Sequence, residues 1–295
     1  MSSDKTRCLS FVCALLACTL DALGLTPDDV MRAAGFDVDQ ATSETPRWEV
    51  RQSLDRPVYE IMYEFPGETM FLSVDPATSE TIDIQGQPGR GLNPTSDTTT
   101  LTPQWASAKL LSLNPYKISR GLIHIGEPAI WYDPENAKYK ILFPRLDAVG
   151  HQFESAAAFL HFDHATSRVT HLKLGVYLPE PTVTTRTLIS REQAASIALQ
   201  FLLAHKSSLF QRVPDKMTFD YIPRSIAIRV VERNHYFGDA TTGTSVAYGA
   251  FVFESRLTDP SYTGRYEKMT VLVWVDVFSG TLVAGSMGKM FVGGQ

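Results

Sequence analysis

The chain has 295 residues, of which 44% are apolar and 20% charged, so it can build sizeable cores and is neither a disordered chain nor a polytopic membrane protein. A net charge of -5 leaves no basic excess to hold a nucleic-acid backbone. All 3 cysteines (Cys8, Cys13 and Cys18) lie near the start, which excludes a disulfide framework, a cysteine zinc site and a cysteine nucleophile from the rest of the chain.

Lys5 and Arg7 precede an uncharged apolar stretch, Cys8 to Leu20. That stretch is short for a bilayer span and suits the core of a secretory signal. Residues 1–24 are therefore read as a signal segment, with two cleavage points. Leu15-Leu16-Ala17-Cys18 resembles a bacterial lipobox, in which Cys18 is lipidated and becomes the mature N-terminus. Ala22-Leu23-Gly24 suits ordinary cleavage after Gly24. The competing reading is a buried cytosolic helix in which the cysteines are small apolar fillers.

Residues 25–84 open with Thr26-Pro27-Asp28-Asp29: a capping hydroxyl, a proline at the first helical position and acids at the positive end of the helix dipole. This short helix is expected to end near Gly35. From Pro57 to Phe65 the pattern alternates, with Tyr59, Ile61, Tyr63 and Phe65 on one face and Glu60 and Glu64 on a wet one. Pro66-Gly67 turns the chain into a second strand, Thr69 to Val74.

Residues 85–100 are rich in Gly, Pro, Ser and Thr and read as a linker. Residues 101–178 repeat the order. Thr102-Pro103 caps a helix with Ala106, Leu110 and Leu113 on one side, which stops before Pro115. Ala129 to Tyr132 and Tyr139 to Phe143 flank the turn residues Asp133-Pro134-Glu135-Asn136. A second linker, 179–187, precedes residues 188–295. There Ser190-Arg191-Glu192-Gln193 forms a capping box, and Ala194, Ile197, Ala198, Phe201 and Leu202 form an apolar stripe. Val246 to Ser255 and Met269 to Val275 read as strands.

The three parts close alike. An apolar strand runs into Asp75, Asp163 or Asp276, then a short turn with Thr or Ser, then another strand. An Asp at the first turn position accepts backbone N–H bonds two residues on, so these acids are read as structural. The expected fold is α+β: three diverged units, each a helix packed on an antiparallel sheet.

Ile189-Ser190-Arg191-Glu192-Gln193-Ala194 and Val273-Trp274-Val275-Asp276-Val277-Phe278-Ser279-Gly280 carry a resemblance to PepSY-type domains. These occur in propeptides of thermolysin-family proteases and, in tandem, in bacterial envelope proteins. The last unit fits best. In the middle one Ser167 stands where glycine is expected, and the first has a truncated helix. The resemblance implies a non-catalytic, secreted or membrane-tethered domain that binds or restrains a partner protein. It brings no catalytic residues.

Among the 7 histidines, His161 and His171 with Asp163 are the candidate metal ligands. Two imidazoles and a carboxylate suffice for a weak site, whereas strand-surface histidines beside a structural acid are the plainer reading. Asp133, Glu135 and Asp239 read as turn acids, and no nucleophile elbow, zinc-protease helix or phosphate loop is present. No cofactor is expected. The candidate partner contacts are His235, Tyr236, Phe237, Tyr262 and Tyr266, in the loops 234–249 and 257–268. The expected function is an exported, non-enzymatic protein-binding or regulatory module at the cell envelope. Its partner is another envelope or secreted protein, nucleic acid plays no part, and any membrane attachment runs through Cys18. The alternatives are a metal-dependent enzyme using His161, Asp163 and His171, and a passive structural lipoprotein.

Overall fold

A computed structural model describes residues 25–51, 56–87, 101–175, 178–181, 187–224, 226–233 and 243–292. The signal segment with Cys18, the residues 88–100 and 182–186 of the two linkers, and His235, Tyr236 and Phe237 lie outside the described residues. The chain divides into two compact units, Met1–Leu146 with Ser155–Tyr177 and Asp147–Glu154 with Leu178–Gln295.

In the first unit α1 (Pro27–Ala33) starts where the sequence predicts. The Thr26 hydroxyl accepts from the Asp29 N–H at 3.2 Å, and the Asp29 carboxylate accepts the Thr26 N–H at 2.9 Å. The strands β1 (Ser43–Arg51), β2 (Arg56–Phe65), β3 (Glu68–Val74) and β4 (Thr81–Gln87) form a meander. After it come α2 (Pro103–Ser112), β5 (His124–Ile125), β6 (Ala129–Asp133), β7 (Lys138–Leu146), β8 (Gln152–Asp163) and β9 (Arg168–Leu174). The strand order of this unit is β1-β2-β3-β4-β9-β8-β7, with β5 and β6 on β7. One face packs on the helices: Ile61, Tyr63, Leu72, Ile84, Leu160 and Phe143 cluster with Val30, Met31, Ala106 and Leu110.

The second unit contains α3 (Arg191–Ala204), α4 (Lys206–Leu209), β10 (Met217–Ile222), β11 (Ile228–Glu232), β12 (Thr244–Leu257), β13 (Tyr266–Asp276) and β14 (Leu282–Val292). Its order is β11-β12-β13-β14, with β10 also on β12. Gln152 and Phe153, which belong to this unit, run parallel to Arg229 and Val230 of β11. Ser190 and Gln193 form the predicted capping box. Ala194, Ala198 and Leu202 of α3 pack against Phe219, Phe251, Phe253, Val271 and Val273.

The expectation of three helix-on-sheet units is incorrect. The chain is mostly mixed β-sheet with few helices, and residues 25–84 and 101–178 share one sheet. The join is the β4–β9 pairing, Asp83↔Lys173, Ile84↔Leu172 and Gln85↔His171. A four-strand meander with a two-turn helix covers little of its apolar face and leaves strand edges bare. Pairing β4 with β9 removes two edges and merges two small cores into one. Glu60 is also not on a wet face: it is 5% exposed, alongside buried Ser73 and Asp83.

The closing turns share one geometry. Asp75 accepts the Ala77 N–H at 2.8 Å, Asp163 the Ala165 N–H at 3.0 Å, and Asp276 the Phe278 and Ser279 N–H groups at 2.9 and 2.8 Å. The fourth residue after each acid is left-handed: Ser79 at φ 56°, Ser167 at 56° and Gly280 at 72°. Asp133 builds a fourth copy. It accepts the Glu135 N–H at 3.1 Å, and Ala137 takes φ 50°.

Candidate functional site

Two surfaces gather the sequence-predicted candidates and residues that the sequence reading missed. The first is the face of the first unit's sheet that points away from α1 and α2. Strand register sets residues across it in a row: Met62↔Phe71, Phe71↔Gln85, Gln85↔His171 and His171↔His161. The rings of His161 and His171 lie 5.1 Å apart, tilted by 35°. Phe159 meets both edge-on, at 4.9 and 6.4 Å, and Trp131, 42% exposed, lies 6.1 Å from Phe159. His161 Nε2 is buried and has no hydrogen-bond partner.

Asp163 does not complete a metal site. Its carboxylate is occupied by the turn, and the register shifts between His161 and Phe162. Among the described residues no group of three or more His, Cys, Asp or Glu side chains is arranged to hold a metal ion. His164 lies against Tyr139 and Phe162 of the core-facing side.

Burial dominates the titration of both rings, and charges of both signs act on them. Burial, then His171, Lys138 and Lys140 lower the His161 pKa to about 4, with Asp133 opposing. Burial also holds His171 below its ordinary value, with Asp83 opposing and Lys173 and Lys138 adding to the effect. Both nearby carboxylates are engaged: Asp133 meets Lys140 Nζ at 2.6 Å, and Asp83 accepts from Gln85 Nε2 at 2.5 Å.

A pH dependence of stability follows. The unfolded His161 ring binds its proton near pH 6.5, while the folded ring resists it down to about 4. Unfolding therefore takes up a proton in that window, and stability falls as pH drops from about 6.5 to 4. Reduced for the ring's solvent exposure, the loss is about 1–2 kcal/mol. Urea unfolding at pH 7.5, 6 and 4.5 checks it: His161→Gln should flatten the slope, and an unchanged slope would refute the assignment.

The second surface lies in the second unit. Along its other side β14 has no strand partner among the described residues. At its end Met290 is 59% exposed and Phe291 46%. The Arg265 guanidinium sits 4.5 Å from the centre of the Phe291 ring and that of Arg212 5.9 Å. The segment carrying Arg212 is pinned from two sides. The buried Glu267 carboxylate accepts the Gln211 N–H at 2.6 Å, and Lys289 Nζ donates to the Leu209 carbonyl at 2.8 Å. The next residue, Val213, is left-handed at φ 44°, a strained conformation for a β-branched side chain.

Of the predicted contact residues, Tyr262 lies 4.5 Å from Lys216 Nζ, and Tyr266 pairs with Val292 while packing partly into the core. The sequence places Arg265 inside the candidate loop 257–268 without singling it out, and gives no pointer to Arg212, Met290 or Phe291 as contacts. For Met290 and Phe291 the only sequence signal is the apolar run Met290-Phe291-Val292 that closes β14, while Arg212 and Arg265, in the segments before β10 and β13, carry none of their own.

No protein-family profile and no curated protein matches the chain. Among solved structures it is similar to the Bacillus megaterium YpeB C-terminal domain, at 10% identity and a TM-score of 0.42, over 89% of this chain and 97% of that one.

Proposed function

We propose that this protein is a binding module of the cell envelope that recognises another protein through the end of β14 and the loop before β13. The observation that carries this reading is Phe291, half exposed between two arginines on an unpaired strand edge. Aromatic and arginine side chains are the usual anchors of protein interfaces, and a bare edge can accept an added strand. The strained Val213 and the pinned segment before it hold Arg212 in place before any partner arrives. The envelope address rests on the signal-like segment 1–24 and the PepSY resemblance, which also favours binding over catalysis.

A photoreactive residue at Met290 in the full chain tests the reading. The expected result is one discrete adduct in cells, lost in Phe291→Asp while the melting temperature holds. Absence of an adduct, or one indifferent to Phe291→Asp, would overturn it. Fractionation of wild type against Cys18→Ala tests the address. Membrane retention lost in the variant supports a lipid anchor, and wild-type protein in the cytosol refutes export.

A further inference from the structure

We infer that, granted the binding reading above, the partner enters as an extended segment laid along residues 286–292 of β14, with an aspartate or glutamate side chain opposite Phe291 held by Arg212 and Arg265.

The backbone decides which groups of β14 are open. The Asp276 N–H donates to the Thr281 carbonyl, toward β14. The N–H groups of Val277 and Met269 donate to the Val246 carbonyl and the Ser255 hydroxyl, toward β12. Residues alternate along a strand, so the even-numbered residues of β13 face β14 and the odd-numbered ones face β12. Register carries the pattern across. Lys268↔Met290 and Thr270↔Gly288 are hydrogen-bonded pairs, whereas Val271↔Met287, Met269↔Lys289 and Glu267↔Phe291 are not. The N–H and C=O groups of Met287, Lys289 and Phe291 therefore point away from β13, and nothing among the described residues pairs with them. Val283, Ala284 and Gly285 are buried, but Ser286 and the stretch from Gly288 to Phe291 are exposed. The open part of the edge is thus a ready ladder with no proline to interrupt it. A lysine on an edge strand ordinarily guards against added strands, but Lys289 is turned back onto the Leu209 carbonyl at 2.8 Å.

Charge selects the segment. An added strand sets one side chain beside Phe291 on the same face, about 5 Å beyond it. Arg265 and Arg212 flank that ring, both are exposed, and neither makes an ion pair among the described residues. Acids do stand nearby. Glu267 is cross-strand from Phe291, but it is buried and its carboxylate accepts the Gln211 N–H. Asp215, in the turn after Arg212, makes no ion pair with it, and Asp259 holds Lys216. The single buried carboxylate of Glu267, set against Arg212, Arg265 and Lys289, leaves a cationic excess at the strand end. A guanidinium over a phenyl ring keeps its N–H donors in its own plane, so both forks remain open to a carboxylate. A second copy of this chain fits less well, because β14 itself (Leu282–Val292) carries no acid to offer.

The experiment titrates isotope-labelled full-length protein with a capped heptapeptide of alternating threonine and valine bearing a central glutamate, and with its glutamine twin. The expected result is slowed hydrogen exchange at the amides of Met287, Lys289 and Phe291, with Gly288 and Met290, already bonded to β13, unchanged. The glutamine twin should bind about tenfold more weakly. Arg212→Gln and Arg265→Gln, both exposed changes, should each reduce that preference without altering the melting temperature. Absence of protection at the three amides, or equal binding of the two peptides, would overturn the proposal. Protection that grows with protein concentration and needs no peptide would assign the edge to a second copy and also overturn it. A Met290 adduct in cells that requires Phe291 but survives Arg212→Gln combined with Arg265→Gln would leave the binding reading standing and refute the acidic segment.

Discussion

Replacing Gly35 with alanine should destabilise the first unit by about 3 kcal/mol, whereas Gly67→Ala should cost only about 1 kcal/mol. Both glycines are left-handed, at φ 99° and 84°, so both substitutions incur the penalty of placing a Cβ there. They differ in what the new atom meets. At Gly67 nothing lies within 4 Å. At Gly35 the Cβ would sit 2.5 Å from the Ser167 carbonyl oxygen and 3.2 Å from Arg168 Cα. Both are backbone atoms of the β8–β9 turn and cannot swing aside. The close approach is built by hydrogen bonds. Gly35 N–H and Phe36 N–H return to the Arg32 and Met31 carbonyls at 2.9 and 3.0 Å, closing α1. The Val169 N–H then donates to the Ala34 carbonyl at 2.7 Å, fixing the helix end on the turn. Phe36 follows, stacked on Phe65 and covered by Arg168. Relief of the clash must pull α1 off the sheet and uncover Val30 and Met31. Chemical denaturation of the two variants checks the difference, and equal costs would show that the turn yields.

Gly35 also shows which parts of this molecule were legible in advance. Its place at the end of a short helix follows from local signals: the cap at Thr26, the first-turn acids and the glycine itself. The other helix starts are equally local, because a capping side chain bonds a backbone group three residues away. The Asp turns at Asp75, Asp163 and Asp276 were legible for the same reason. The fourth, at Asp133, was recognised as a hairpin connection but not as a copy, since Ala137 gives no hint of a left-handed backbone. The His161–His171 register follows from the turn between them. Its surroundings do not, because Lys138, Lys140 and Trp131 arrive on β6 and β7, whose place beside β8 is a tertiary fact. The number of units was misread for a similar reason. Nothing local in Asp83, Ile84 and Gln85 states that they pair with 171–173, and that pairing turns two expected units into one sheet. Glu60 was expected to be wet by the same local logic. Val58, Ile82 and Tyr116 pack as a small second cluster near it, which alternation along β2 alone cannot reveal.

Truncating Phe251 to alanine should cost about 3–5 kcal/mol and is the corresponding test of the second unit. Phe251 is fully buried on β12, just past a register shift against β13. Its ring contacts Tyr221 on β10 and Tyr248 on its own strand, each at 6.1 Å. The lost transfer energy accounts for only part of the cost, and the remainder depends on whether neighbours can fill the space. Here they cannot. Above the sheet α3 presents Ala194 and Ala198, which have no side-chain length to extend into a void. Beneath, Phe251 pairs with Val273 of β13 and its neighbour Val252 pairs with Ile222 of β10 and Leu272 of β13, which limits how far the backbone can sink. Phe251→Leu keeps most of the volume and should cost less than about 1.5 kcal/mol. Equilibrium urea unfolding of the three proteins separates the terms. A lowered midpoint with an unchanged slope reports a cavity, and a loss below 1 kcal/mol in the alanine variant would mean that α3 closes onto the sheet. In that event the small residues of its stripe would be a hinge for repacking instead of a fixed spacing.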